Sequence, residues 1–237
     1  EIASCLVGSE MCIRDSINPV IVKAEGEGKR SNMLDLSLAG CRYSFFLYTL
    51  FAIPCLLEAD YVLKLWLKNV PDWAVLFCRL QILRTMLEQL TNALGMALMA
   101  EGHIMKINIV NLVLSILTFI SLYLLYSFGF LPYWHFIISI IFMVIIESCF
   151  KIYYCSRYCH LSIKYFIRNV FVRCVLCAVI PFLVGLYFVS EFEGQGFLRL
   201  CLTSVICTTI LIMVLFSIGM NKQEKNLIVR NMFTNMH

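Results

Sequence analysis

One apolar stretch, Trp73–Met99, carries an unusual load of polar groups: Arg79, Gln81, Arg84, Thr85, Glu88, Gln89 and Asn92. At about 100° per residue, Gln81, Arg84, Thr85, Glu88, Asn92 and Gly95 share one helical stripe. Arg84 and Glu88 stand one turn apart and can pair. A charged side chain in hydrocarbon costs at least ~2.5 kcal/mol on insertion scales, so such groups turn towards a bundle interior or a wet cavity. Two readings stay open on these residues alone. In one, the stripe walls a hydrophilic cavity suited to a polar, anionic ligand. In the other, Arg84 and Glu88 are a structural ion pair between helices, and Arg79 snorkels outward.

Glu147, followed one turn on by Lys151, is the other acid near membrane depth. Its first reading is an interfacial ion pair and its second a proton-coupling acid. Cys155, Cys159 and His160 form a C-x3-C-H cluster, but no second ligand pair follows at zinc-finger spacing. They read as reduced thiols in a loop, and no metal is expected. Cys55, Cys78, Cys149, Cys174, Cys177, Cys201 and Cys207 lie in or beside apolar stretches, where cysteine acts as a small hydrophobe. A Gly-rich phosphate loop, H-E-x-x-H and G-x-S-x-G are all missing. No aspartate lies in the middle of an apolar stretch, which speaks against aspartate-dependent prenyl-diphosphate chemistry. A cofactor-free protein that is not an enzyme is the expectation.

The elements that must hold these groups are six apolar stretches: Ser44–Leu67, Trp73–Met99, Ile107–Ser127, Tyr133–Tyr154, Val172–Val189 and Phe197–Ile218. A helix needs about 20 apolar residues to cross a ~30 Å hydrocarbon core. Apolar residues make up 61% of the chain and charged ones 14%, against ~45–50% and ~25% in soluble domains. Inside lipid every backbone polar group must be satisfied internally, and these stretches are too long and unbroken for barrel strands. The fold class expected is an all-α integral membrane protein, a six-helix transmembrane bundle over 44–218. A cytoplasmic loop over 17–43 precedes it and a cytoplasmic tail over 219–237 follows. Residues 1–16 (EIASCLVGSEMCIRDS) resemble the translation of a sequencing adapter. They are set apart as a non-native tail.

Basic residues alternate between loops. Lys23, Lys29, Arg30, Arg42, Lys106, Lys151, Arg157, Lys164, Arg168, Arg173, Lys222, Lys225 and Arg230 fall on one side, Lys64 and Lys68 on the other. The positive-inside rule puts both ends in the cytoplasm. Glu58, Asp60, Asp72, Glu191 and Glu193 then lie outside. The three tryptophans, Trp66, Trp73 and Trp134, mark the outer boundary, and Tyr43, Tyr153, Tyr154, Tyr158 and Tyr165 the inner one. Leu161–Phe171 (LSIKYFIRNVF) alternates apolar and basic residues and reads as a short interfacial helix. The net charge of +4 is spread over loops, so nucleic acid is not an expected partner.

INPVIVKAEGEG at Ile17–Gly28, followed by a basic stretch, resembles the loop before the ninth helix of polysaccharide flippases. These are the Wzx-type members of the MOP (multidrug/oligosaccharidyl-lipid/polysaccharide) exporter superfamily. The likeness continues through YSFFLYTLFAIPCLLEADYVLKLWLKNVPDW and the turn AEGHIMK at Ala100–Lys106. It is specific over the first 90 residues or so and lies in hydropathy and loop charge beyond them. The resemblance implies a MATE-like transporter of about fourteen helices, of which this chain is the C-terminal part, helices nine to fourteen. It implies alternating-access translocation of undecaprenyl-diphosphate-linked oligosaccharide across a bacterial inner membrane for polysaccharide or O-antigen synthesis. The partners implied are that lipid carrier, membrane lipid and the missing N-terminal part of the same protein, without which the piece is inactive. Basic residues line the cavity in that family, and Arg84 is the residue here that best fits the theme. Rival readings are a small-molecule exporter on the same fold and a membrane-embedded glycan polymerase or acyltransferase. The short outer loops count against the polymerase.

Overall fold

The computed structural model describes residues 18–67, 69–192 and 196–219. Among the described residues, regular structure is helical throughout. The first helices are α1 (18–26), α2 (Arg30–Leu57), α3 (Ala59–Trp66), α4 (Ala74–Gln89) and α5 (Asn92–Ala100). They are followed by α6 (Ile104–Ser127), α7 (Trp134–Tyr158), α8 (Ile163–Glu191) and α9 (Phe197–Gly219). Five of them, α2, α6, α7, α8 and α9, are long and apolar enough to cross a membrane. The chain is therefore an all-α membrane protein.

Three departures from the sequence expectations have physical reasons. Trp73–Met99 is not one helix: α4 and α5 are separated at Leu90–Thr91, where the Leu90 and Thr91 amides donate to Leu87 and Glu88, each at 3.2 Å. Neither Pro nor Gly stands at this break. α2 begins at Arg30, well ahead of Ser44, because Met33, Leu38 and Cys41 extend the buried face of Phe45 back through the basic segment. Leu161–Phe171 is not a separate interfacial helix. From Ile163 it runs unbroken into α8, with Phe166, Val170 and Cys174 burying one continuous stripe.

The turns show why the helices end where they do. Gly102 (φ 98°), Gly129 (φ 76°) and His160 (φ 58°) adopt left-handed backbone after α5, α6 and α7. In each case the next amide reaches back: His103 to Leu98 (3.0 Å) and Phe130 to Leu125 (3.1 Å) span five residues, and Leu161 to Cys155 (3.1 Å) spans six. These are Schellman-type terminations, which satisfy the carbonyls of the last turn. α2 gives way to α3 at Glu58, four residues after Pro54. The Glu58 amide still reaches the Pro54 carbonyl at 3.0 Å.

α2 is the axis of the bundle. It packs on α8 and α9 along one side and on α4 and α5 along the other. The core joins Met33, Cys41 and Phe45 of α2 to Leu94, Ala97 and Leu98 of α5, to Val170 and Cys174 of α8 and to Leu211 of α9. Gly185 sets the α8 approach. A β-carbon there would sit 2.5 Å from Leu57 Cδ1 and 2.6 Å from Cys207 Sγ, so a bare backbone is what lets three helices close. α6 and α7 lie outside α4 and α5 and leave apolar side chains such as Leu112, Phe119 and Ile145 exposed, as a lipid-facing surface requires. Trp73, Tyr133 and Trp134 gather at one end of the bundle, with ring centroids 5.8–6.0 Å apart.

Candidate functional site

The break between α4 and α5 borders a polar cavity of about 290 Å³. Glu88, Gln89, Thr91 and Asn92 line it from the break, Asn111 from α6, and Met143, Glu147, Ser148 and Lys151 from α7. Irregular backbone at membrane depth is tolerated where it is buried in protein or faces such a cavity. The break is held from α7, where Thr91 Oγ1 and Ser148 Oγ lie 2.8 Å apart. α7 is itself distorted at this level. Ile140–Ile146 is wound as a π-helix that ends directly at Glu147. Such widened turns are frequent at functional sites.

Charge in the cavity is balanced. Lys151 Nζ pairs with Glu147 Oε1 at 2.7 Å, both side chains about 15% exposed. Arg84 Nη2 pairs with Glu88 Oε1 at 2.9 Å. What remains for a ligand is amide and hydroxyl chemistry. Asn111 Oδ1 is buried and has no hydrogen-bond partner among the described residues, an arrangement that costs about 1–3 kcal/mol unless something donates to it. A water-sized void of about 10 Å³ adjoins the cavity beside Asn111, Glu147 and Lys151.

The structure brings together part of the stripe read from the sequence. Glu88, Asn92 and Glu147 line one cavity. Arg84 does not line it and reaches it only through Glu88. Gln81 is exposed, and the Thr85 hydroxyl donates to its own helix at Gln81 O, 3.1 Å away. The stripe divides because the helix stops at Gln89, so the regular 100° step no longer relates α4 to α5. Cavity residues that the stripe did not contain, Asn111 and Ser148, are polar groups in otherwise apolar helices, and that was the available signal.

A second polar cluster lies where acids were expected outside. Glu58 is 1% exposed, its Oε2 2.8 Å from Arg199 Nη2 and its Oε1 3.5 Å from Thr203 Oγ1. The helix break after Pro54 turns this carboxylate inward, and Arg199 of α9, a residue that loop charge counts pass over, neutralises it. Arg79, its side chain 41% exposed, reaches Asp60, one of the acids expected outside. It spans to α2 and α3, donating from Nε to Leu56 O at 3.2 Å and pairing through Nη2 with Asp60 Oδ2 at 2.7 Å. Glu193 and the basic residues of the 219–237 tail lie outside the described residues.

At the opposite end of the bundle Arg30 bridges Glu25 (2.8 Å) and Glu101 (3.4 Å), Glu101 meets His103 Nδ1 at 2.6 Å, and Lys106 donates to Tyr158 Oη at 2.9 Å. The network ties the segment before α2 to the α5–α6 turn and to the end of α7. Cys155 and Cys159 are fully buried beneath it, whereas His160 is exposed. The Cys155 thiol, by hydrogen bonding, holds the Cys159 thiol below its ordinary pKa. No group of three or more His, Cys, Asp or Glu side chains placed to hold a metal occurs among the described residues.

Fold and cavity together define an α-helical membrane protein with a charge-balanced polar pocket at a broken helix. No family model matches the chain, and no curated protein or solved structure matches it.

Proposed function

We propose that this chain is the C-terminal part of a flippase of the MOP exporter type, moving lipid-linked oligosaccharide across a bacterial inner membrane. In this reading α4 and α5 together make a sixth, interrupted crossing, both ends of the bundle chain are cytoplasmic, and an N-terminal lobe completes the transport path. The observation that carries the proposal is the 290 Å³ polar cavity set against the α4–α5 break. Broken helices at membrane depth are where transporters place their substrate sites. Amides and hydroxyls from Asn92, Asn111, Thr91 and Ser148 suit sugar hydroxyl groups. The paired charges of Glu88 and Glu147 leave no free cation for the diphosphate among the described residues lining this cavity, so the sugar is the moiety it would hold. Glu147, beside the water-sized void, is the candidate coupling acid.

Export of surface glycan in a flippase-null strain tests the reading. The complete protein should restore export, residues 17–237 alone should not, and Asn92→Leu in the complete protein should cut export at least tenfold at unchanged membrane abundance. Wild-type export by Asn92→Leu would remove the cavity from the mechanism. Orientation is checked separately with a reporter active only outside the cytoplasm. Fused after Pro132 it should be active, and after His160 silent, because basic residues crowd the His160 side. The reverse pattern would overturn the assignment.

A further inference from the structure

No acidic residue stands between Glu147 and Glu191, although Lys151, Arg157, Lys164, Arg168 and Arg173 all do. Lys151 is neutralised by Glu147. Lys164 and Arg168 are placed differently. They sit one turn apart in the first turns of α8, which buries Phe166, Val170 and Cys174 against the bundle. The helix widens to a π-helical turn at Ile167–Phe171, and positions 164 and 168 lie off that buried stripe. Both are exposed, and neither has a carboxylate within ion-pair distance among the described residues. Their neighbours Ile163, Tyr165, Ile167 and Phe171 are apolar or aromatic and 45–47% exposed.

Two unneutralised cations on the outward face of a membrane-crossing helix, embedded among exposed apolar rings and chains, cannot rest in hydrocarbon. Their stems lie along the apolar surface while the charged ends rise to the headgroup level. Since the described residues supply no counter-ion, the lipid is placed to do so. We infer that Lys164 and Arg168, with Tyr165 between them, form a binding site for the phosphate of an anionic phospholipid. A zwitterionic lipid meets this site poorly, because its own ammonium already neutralises its phosphate. An anionic headgroup brings uncompensated charge, gaining about fivefold in binding per cation at low salt. The Arg168 guanidinium can grip two phosphate oxygens, and Lys164 adds a point charge. This inference stands on the membrane-crossing helices alone and does not depend on the transport proposal.

The test uses the full chain reconstituted in vesicles of equal parts phosphatidylglycerol and phosphatidylcholine, re-extracted in mild detergent, with the retained lipids quantified by mass. Wild type should retain phosphatidylglycerol in at least threefold excess over its bulk share. K164Q/R168Q should return the ratio to bulk, while R168K and K23Q, the latter altering an exposed lysine beside Glu27, should keep the excess. At about 1 M salt, where the Debye length falls to ~3 Å, the wild-type excess should also collapse. Where the double variant fails to fold, K164Q and R168Q made singly take its place, each lowering the excess. Wild type at the bulk ratio, or an excess that survives either K164Q/R168Q or high salt, overturns the site.

Discussion

Arg199→Ala should be the most damaging single truncation in this bundle, lowering stability by about 3–5 kcal/mol. Glu58 is 1% exposed and Arg199 11% exposed, and their 2.8 Å contact joins the kink between α2 and α3 to α9. Removing the guanidinium leaves a desolvated carboxylate that, among the described residues, faces the Thr203 hydroxyl at 3.5 Å. The measurement is the unfolding midpoint of the purified protein in detergent, together with its abundance in membranes. Glu58→Leu/Arg199→Leu should recover most of the loss, because an apolar pair avoids the desolvation that the ions suffer. Arg79→Ala is the internal contrast. Its partner Asp60 is 43% exposed and Arg79 itself 41%, so solvent screening holds that pair to roughly 1 kcal/mol or less. An Arg199→Ala variant as stable as Arg79→Ala would show that the buried pair does not lock α9 to α2.

The same pair shows what the sequence could and could not disclose. Glu58 and Arg199 are 141 positions apart, and each by itself is one charge at the end of an apolar run. Only the Pro54 kink, which turns the Glu58 side chain inward, brings them together. By contrast, α6, α8 and α9 were legible from hydropathy, because lipid permits no other backbone arrangement for long apolar runs. The α4–α5 break was not. The residues LEQLTNALG contain no breaker at Leu90–Thr91, and the interruption is made by tertiary partners, Ser148 above all. The π-helical turn in IIFMVII is equally silent in sequence, since its hydrophobicity is uniform. The cavity was half visible for the same reason. A helical stripe grouped Glu88 with Asn92, which flank the break and line the cavity, but it could not know that Arg84 stops short of the cavity or that Asn111 and Ser148 complete the wall.

That division sharpens the role of Arg84. Were it a ligand for an anionic substrate group, its guanidinium would have to be free to leave Glu88. It is held there at 2.9 Å, one turn away, with the Glu88 side chain itself on the cavity wall. The expected result is that Arg84→Ala lowers glycan export about tenfold, equivalent to ~1.4 kcal/mol. The loss arises because it uncovers a negative charge where the proposed sugar binds. Both side chains are partly exposed, so solvent screening keeps the effect below that of the Glu58–Arg199 pair. Arg84→Lys should keep most of the activity, since an ammonium still neutralises Glu88. The decisive variant is Arg84→Ala/Glu88→Ala in the complete protein, with export normalised to membrane-inserted protein. Recovery to near wild-type export assigns Arg84 to charge compensation. A double variant as impaired as Arg84→Ala alone would mean that the guanidinium itself meets the substrate. The cavity would then have to open towards α4 during transport, exposing a cation that Glu88 covers in the present conformation.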